Sequence, residues 1–291
     1  MRSKPMHAAL ERMLVAYARR FPISRGKLRV VNALWSLAAA GDYERMATTI
    51  YGGMRIPCDL REMLQRQYYF FGTYFVEALN LRAWSAEARS AEVVFDVGAN
   101  GGIYSLAALA ARPDAAVHAF EPTPEIAARL HKVREINGLD GLTVHEAAVA
   151  SWNGVAGLRR CDFNEGMNFT TSDARGTGDA DLTEATPVRA VRLDHVCAEG
   201  GIERIDLLKL DIQGNEPDAL EGAGEMIGEG RIRTIFMELN WGWAADCPAT
   251  RAVQRLDDAG YRFSPPGREL RWAKAGDWLK RHGDIVCRAA D

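Results

Sequence analysis

The sequence predicts an α/β fold with a doubly wound, Rossmann-like sheet, mostly parallel, and three observations carry that expectation. Residues 93 to 102 read VVFDVGANGG, an apolar run ending in Asp96 and a glycine-rich turn, and IYSLAALAAR follows as a helix-forming stretch. Val93, Val94, Phe95 and Val97 have the β-branched and aromatic character of a strand covered on both faces. Residues 117 to 122, VHAFEP, supply a second short apolar strand that ends in another acid, Glu121. Beyond it strands and helices alternate, the pattern of parallel strands joined by crossover helices.

Taken in order, Leu10, Met13, Leu14 and Tyr17 recur at helical spacing, and after Phe21-Pro22 so do Val30, Val31, Leu34 and Leu37. Two helices are therefore expected before the sheet. Their polar faces mix both charge signs, which favours packing on the rest of the chain or on a second copy, a homo-oligomer, over lying on a membrane. Between Met46 and Ala83 the composition turns aromatic, with Tyr51, Tyr68, Tyr69, Phe70, Phe71, Tyr74 and Phe75, and Trp84 just beyond. This predicts a helical, aromatic-rich cap over residues 1–85 and a ligand-binding domain over 86–291. Tyr69 and Glu77 are the cap residues suited to contact a hydroxylated substrate.

Past Glu121, Pro124 starts a helix through Ile126, Leu130 and Val133 that stops at Asn137-Gly138. LTVHEAAV is the third strand. Residues 151–191 depart from a simple crossover: Asn153-Gly154 is a turn signal, while Val155–Arg160 and Pro187–Val191 read as short strands. An inserted hairpin with a lid is expected there, with Asn164, Met167, Asn168 and Phe169 where the lid would meet substrate. The fourth strand, IDLLKLD, ends in Asp211 and carries Lys209, whose charge needs a partner such as Asp96, Asp211 or Glu238. Asn215 to Glu221 begin a helix, and IRTIFMELN is a fifth strand ending in Glu238 and Asn240. A helix through Val253, Leu256 and Ala259, a turn at Pro265-Pro266-Gly267 and an antiparallel strand at Ile285 to Cys287 complete the sheet. Trp241 and Trp243 are placed to wall an acceptor pocket, and Trp272 and Trp278 to pack the core.

Composition narrows the function. At 291 residues, 47% hydrophobic and 26% charged, the chain has ordinary globular usage, and a net charge of −3 argues against a nucleic-acid surface. Five scattered cysteines without C-x-x-C spacing suit reduced thiols in the cytoplasm and suggest no zinc. Ala33 to Ala40, the longest apolar patch, falls well short of the roughly 20 residues of a membrane span.

The glycine turn permits close approach of a polar ligand to the backbone, and the helix after it points free N–H groups the same way. An acid at the tip of the second strand is where a doubly wound fold binds ribose hydroxyls. That much serves nicotinamide dinucleotides and S-adenosylmethionine alike. Gly98-Ala99-Asn100-Gly101-Gly102 does not meet the pyrophosphate pattern G-x-G-x-x-G, however, and Asp96 at the loop mouth suits an ammonium group.

The segments FDVGANGGIYS, FEPTPE and DLLKLDIQGNEPDALEGA, in this order, resemble the FkbM family of S-adenosylmethionine-dependent methyltransferases, over roughly residues 90 to 265. The resemblance implies a class I methyltransferase fold acting on hydroxyls of sugars or natural products. It implies S-adenosyl-L-methionine contacts at Asp96, Gly98, Asn100, Gly101, Ser105, Glu121, Pro122, Ala147 and Asp211, with Ala147, or Glu146 beside it, against the adenine. One departure is Gln213, where the family usually has an acid. Methyl transfer to an alcohol needs the acceptor oxygen roughly 3 to 3.5 Å from the methyl carbon and a group to take its proton. Asp211 and Glu238 are the catalytic candidates, as base and orienting partner. They could instead share a divalent cation, although no metal-ligand set is assigned. Asn168, Trp241 and Tyr69 are the substrate candidates. The rival readings are a nicotinamide-dependent oxidoreductase, for which no catalytic Tyr-Lys or His is found, a non-catalytic S-adenosylmethionine-binding protein, which would tolerate loss of Asp211 and Glu238, and an N-methyltransferase.

Overall fold

The computed structural model describes residues 4–21, 26–39, 41–159, 169–171, 185–239, 248–267, 270 and 283–290. The chain forms two compact units, residues 1–78 with 132–138 and residues 79–131 with 139–291.

In the first unit, α1 (Lys4–Arg20) and α2 (Lys27–Ala39) are the two expected helices. They bury Leu14, Ala18 and Val31, while Met13 stays exposed. β1 (Glu44–Thr48) and β2 (Arg55–Asp59) pair as an antiparallel ribbon that the sequence reading did not contain. Left-handed Gly52 and Gly53 let the chain reverse between the strands, and strands of only five residues, of which β2 alone alternates, with Ile56 and Cys58 buried, give little periodic signal. α3 (Met63–Phe71) buries Tyr68, Phe70 and Phe71 and is closed by Gly72 at φ 72°. Its Tyr69 donates its hydroxyl to Glu11. Arg45 grips both Glu11 oxygens, at 2.8 and 3.1 Å, and Arg19 donates to the carbonyls of Thr48, Tyr69 and Phe70.

The second unit opens with α4 (Ala78–Ala88), then β3 (Val93–Val97), α5 (Ile103–Ala111), β4 (Ala116–Phe120), α6 (Pro124–Asn137) and β5 (Leu142–His145). β6 (Ala148–Val149), β7 (Gly154–Arg159), β8 (Phe169–Thr171) and β9 (Thr186–Val191) follow, then α7 (Leu193–Gly200) and β10 (Ile205–Leu210). The chain ends with α8 (Glu216–Gly222), α9 (Gly224–Gly228), β11 (Ile232–Met237), α10 (Pro248–Asp258), β12 (Arg262–Ser264) and β13 (Ile285–Arg288). Seven strands form the main sheet in the order β12-β13-β11-β10-β3-β4-β5. It is parallel from β11 to β5, with β13 antiparallel to β11 and β12 antiparallel to β13. The mostly parallel, doubly wound sheet with an antiparallel C-terminal strand is thus observed, with β12 as a second antiparallel member.

The strand order reverses between β3 and β10, the switch point at which such sheets bind ligands beyond their C-terminal strand ends. Phe95, Phe120, Leu208, Leu210 and Ile235 belong to one large apolar cluster. Trp84 of α4 is fully buried, edge-on to Tyr104 and Phe236, and its indole N–H donates to the Tyr104 carbonyl at 2.9 Å.

One expectation is corrected. LTVHEAAV is not one strand: the Ala147 N–H folds back on the His145 carbonyl at 2.9 Å, so the chain leaves the main sheet after β5. β6 then joins a separate sheet, ordered β6-β9-β7-β8. The expected hairpin is its β7–β9 antiparallel pair, packed on small side chains from Ala148, Ala150, Ala156 and Ala190. Asn164, Met167 and Asn168 of the lid expectation lie outside the described residues, as do Asn240, Trp241, Trp243, Trp272 and Trp278.

Candidate functional site

β3 delivers Asp96, whose side chain is fully buried. Its Oδ2 accepts the Ser105 backbone N–H at 3.0 Å and the Ser105 hydroxyl at 2.7 Å. The carboxylate therefore caps the first turn of α5, where the helix dipole favours negative charge. Ser105 is itself fully buried, and it holds Asp96. The other oxygen, Oδ1, is buried without a hydrogen-bond donor, with the Lys209 ammonium 3.8 Å away. Burial pushes the Asp96 carboxyl above its ordinary proton affinity, against the pull of Lys209 and Ser105.

The turn after β3 is clasped to the end of β4. Gly98 and Ala99 donate to the Phe120 carbonyl, at 3.1 and 3.0 Å, and the Asn100 N–H reaches Glu121 Oε2 at 3.1 Å. Gly98, Asn100 and Gly102 all take the left-handed conformation. At Gly98 the requirement for glycine comes from the protein itself: a Cβ there would stand 2.0 Å from the Asp211 carbonyl oxygen. Asn100, a residue type that tolerates φ 46°, presents its backbone N–H to Glu121. Gly101, half-buried, completes the turn.

Glu121 is buried, with Oε1 accepting the Thr123 N–H at 2.8 Å. Burial raises its proton affinity, and the donors from Thr123 and Asn100 oppose the rise. Pro122 is half-buried beside it. Ala147 is buried in the apolar cluster with Val97 and Phe120, and Glu146 is exposed and pairs with His131. His118 and His145, expected as structural strand histidines, face each other at 3.0 Å between β4 and β5.

β10 supplies the centre of the site. The Lys209 ammonium lies 3.1 Å from Asp211 Oδ2 and 3.1 Å from the Gly98 carbonyl, over the Tyr104 ring at 4.9 Å. Two of the partners expected for this lysine, Asp211 and Asp96, are therefore in place. Burial tends to raise the Asp211 carboxyl, but the Lys209 ammonium, followed by side-chain hydrogen bonding that involves Glu238, Lys209 and Gln213, outweighs it and holds it below its ordinary range.

Strand register sets Asp211 and Glu238 side by side. Leu210 pairs with Met237, and the Glu238 N–H donates to the Leu210 carbonyl at 3.0 Å. Register also brings in a residue the sequence reading missed. Met237 pairs with Ile285, and the Gly283 N–H reaches the Leu239 carbonyl at 3.4 Å, so Asp284 stands opposite Glu238. Asn80 of α4 donates to Asp284, whose carboxyl is pushed up by burial and senses both Asp211 and Lys209. The available signal was an acid directly before a strand: when that strand runs antiparallel, its start lies at the edge where the parallel strands end.

Glu216 was also missed. Its Oε1 accepts the N–H groups of Ile212 and Gly214, at 3.1 and 3.2 Å, and so shapes the turn that carries Gln213. Among the described residues no group of three or more His, Cys, Asp or Glu is arranged to hold a metal ion. Asp96 Oδ1, buried without a donor, and the Glu121 carboxylate at the tip of β4 are acceptors of the kind that an ammonium group and ribose hydroxyls require.

Tyr69 lies in the first unit with its hydroxyl committed to Glu11, and Asn168 and Trp241 lie outside the described residues.

The model of the methyltransferase FkbM domain matches residues 96–263. The 2-O-methyltransferase NoeI of Sinorhizobium fredii is 31% identical over 168 residues, half of this chain and 62% of its own length. The 31-O-demethyl-FK506 methyltransferase FkbM of Streptomyces tacrolimicus is 31% identical over 195 residues, 59% of this chain and 74% of its own. The methyltransferase sdnD of Sordaria araneosa is 27% identical over 204 residues, 62% of this chain and 76% of its own. The matched span runs from Asp96 at the loop mouth to Phe263 in β12 and takes in Glu121, Lys209, Asp211 and Glu238, so this chain belongs to the FkbM methyltransferase domain family.

Proposed function

We propose that the protein is an S-adenosylmethionine-dependent O-methyltransferase that methylates a hydroxyl of a sugar or natural-product small molecule. The observation that carries this reading is the pairing of Asp96 and Glu121 across one clasped turn at the switch point, in a chain of a methyltransferase family. Two relatives, NoeI and FkbM, are O-methyltransferases by name, which favours oxygen over nitrogen as acceptor. Among the described residues no helix is long and apolar enough to cross a membrane, and Cys58, Cys197 and Cys287 are thiols outside disulfides. Both accord with an enzyme working in the cytoplasm.

S-adenosylmethionine supplies a methyl group activated on a sulfonium. Asp96 Oδ1 would accept from its ammonium group and Glu121 from its ribose hydroxyls, with Gly98, Asn100 and Gly101 forming the floor of the turn and Ser105 fixing Asp96. Asp211 stays ionised beside Lys209, and with Glu238 forms the acceptor-side edge: one takes the hydroxyl proton, the other orients the oxygen. Lys209 keeps that edge from being uniformly negative.

The test is calorimetric titration of the purified protein with S-adenosylmethionine, S-adenosylhomocysteine and NAD. The expected result is saturable binding of the first two and none of NAD. Binding of NAD alone overturns the reading.

A further inference from the structure

Gln213 stands at a point where the backbone resists a side chain, with φ 56°, in a turn braced from below by Glu216. A non-glycine residue in the left-handed region is held there at some cost in strain. Its side chain spans two acids. The amide nitrogen lies 3.2 Å from Asp211 Oδ1 and 3.0 Å from Glu238 Oε2. Both neighbours are acceptors when ionised, so the nitrogen, with two N–H groups, must face them. Asp211 and Glu238 sit at the ends of adjacent strands, where two carboxylates repel unless something donates to both.

We propose that Gln213 is a positioning residue whose amide takes the place of a bridging cation, holding Asp211 and Glu238 side by side as carboxylates without a divalent ion. The inference deepens the methyltransferase reading and rests on it only in calling this edge the acceptor side. Other charged groups around the pair are Lys209 on β10, Asp96 on β3, Asp284 ahead of β13 and Glu216 on α8. Lys209 neutralises one face of Asp211, and Gln213 donates to both Asp211 and Glu238.

Gln213→Glu keeps the shape and replaces the donor by a third carboxylate, while Gln213→Met keeps the length and removes the donor alone. The full-length protein and both variants are compared by thermal melting at pH 5.5 and 8, with chelator or with millimolar Mn2+, alongside S-adenosylhomocysteine titration. The parent is expected to melt at the same temperature with chelator and with Mn2+. Gln213→Glu is expected to lose stability at pH 8 in chelator, to regain it at pH 5.5, where protonated carboxyls donate, and to be raised by Mn2+ at pH 8. Gln213→Met should show the same pH dependence. Three results overturn the proposal: a parent stabilised by Mn2+ as strongly as Gln213→Glu, variants that track the parent at both pH values, or variants that fail to fold even at pH 5.5, which would assign Gln213 to packing alone. A parent that fails to bind S-adenosylhomocysteine counts against the methyl-donor reading instead, and the melting comparison still decides the role of Gln213.

Discussion

At the scale of single residues the site consists of carboxylates, each held by a different kind of donor. Asp96 takes a helix N-terminus and a serine hydroxyl, Glu121 takes backbone N–H groups, and Asp211 takes an ammonium and an amide. The difference matters for substitution. In Glu121→Gln one end of the side chain becomes an NH2 group, which must face either the Asn100 or the Thr123 N–H, donor against donor. A buried polar group left unsatisfied in this way costs about 1–3 kcal/mol. The amide also has one acceptor oxygen where the carboxylate has two, so a ribose diol loses an acceptor and the variant should bind S-adenosylhomocysteine roughly tenfold or more weakly by calorimetry. Affinity equal to the parent's would remove Glu121 from the cofactor site.

At the scale of elements, short turns and strand pairs carry the pH response, and two of them act in opposite directions. Burial, opposed by the N–H groups of Ile212 and Gly214, pushes Glu216 up to about 6 from 4.5. The folded protein thus binds this proton more tightly than the unfolded chain does. The stability tied to Glu216 is fully present below 4.5 and is lost as pH rises through about 6. Glu216→Gln retains an oxygen for both N–H groups, so it should match the parent at pH 4.5 and exceed it by about 2 kcal/mol at pH 7.5 in urea unfolding. Equal stability at both pH values would contradict the buried-charge account.

His145 works the other way. It stacks on Phe120, and burial, followed by the neighbouring His118 and Arg189, lowers it to about 4 from 6.5. The unfolded chain takes up this proton first, so stability falls as pH drops from 6.5 toward 4. In His145→Gln that acid-side slope should flatten, read as the difference in melting temperature between variant and parent across the window. An unchanged slope would place the acid sensitivity elsewhere.

At the scale of the second unit, one glycine joins the main-sheet crossover to the small second sheet. A Cβ on Gly222, at the end of α8, would lie 2.0 Å from the carbonyl oxygen of Ala150, just after β6. Neither partner is a flexible side-chain tip, so Gly222→Ala must displace backbone. We expect a loss of about 3 kcal/mol or more in denaturant unfolding. A loss below about 1 kcal/mol would mean that α8 and β6 can separate freely.

The sequence by itself determined the strand–turn–helix order, the parallel sheet and four acids on its edge. In a parallel sheet every strand ends on the same side, so reading Asp96, Glu121, Asp211 and Glu238 as strand-end residues also placed them at a common edge. Ser105 was legible as a first-turn residue of the helix after the loop but not as the group that binds Asp96, because that bond depends on how α5 returns over β3. Only the tertiary structure decided the rest. Asp284 joins the edge through an antiparallel register set far along the chain, and Asn80 meets it from α4. The break after His145 turns on one backbone hydrogen bond, and the β1–β2 ribbon on two left-handed glycines between strands of only five residues. Sequence periodicity reports which face of an element is buried, and position along a strand reports which edge it reaches. Which donor meets which carboxylate is settled only when strands from distant parts of the chain are paired.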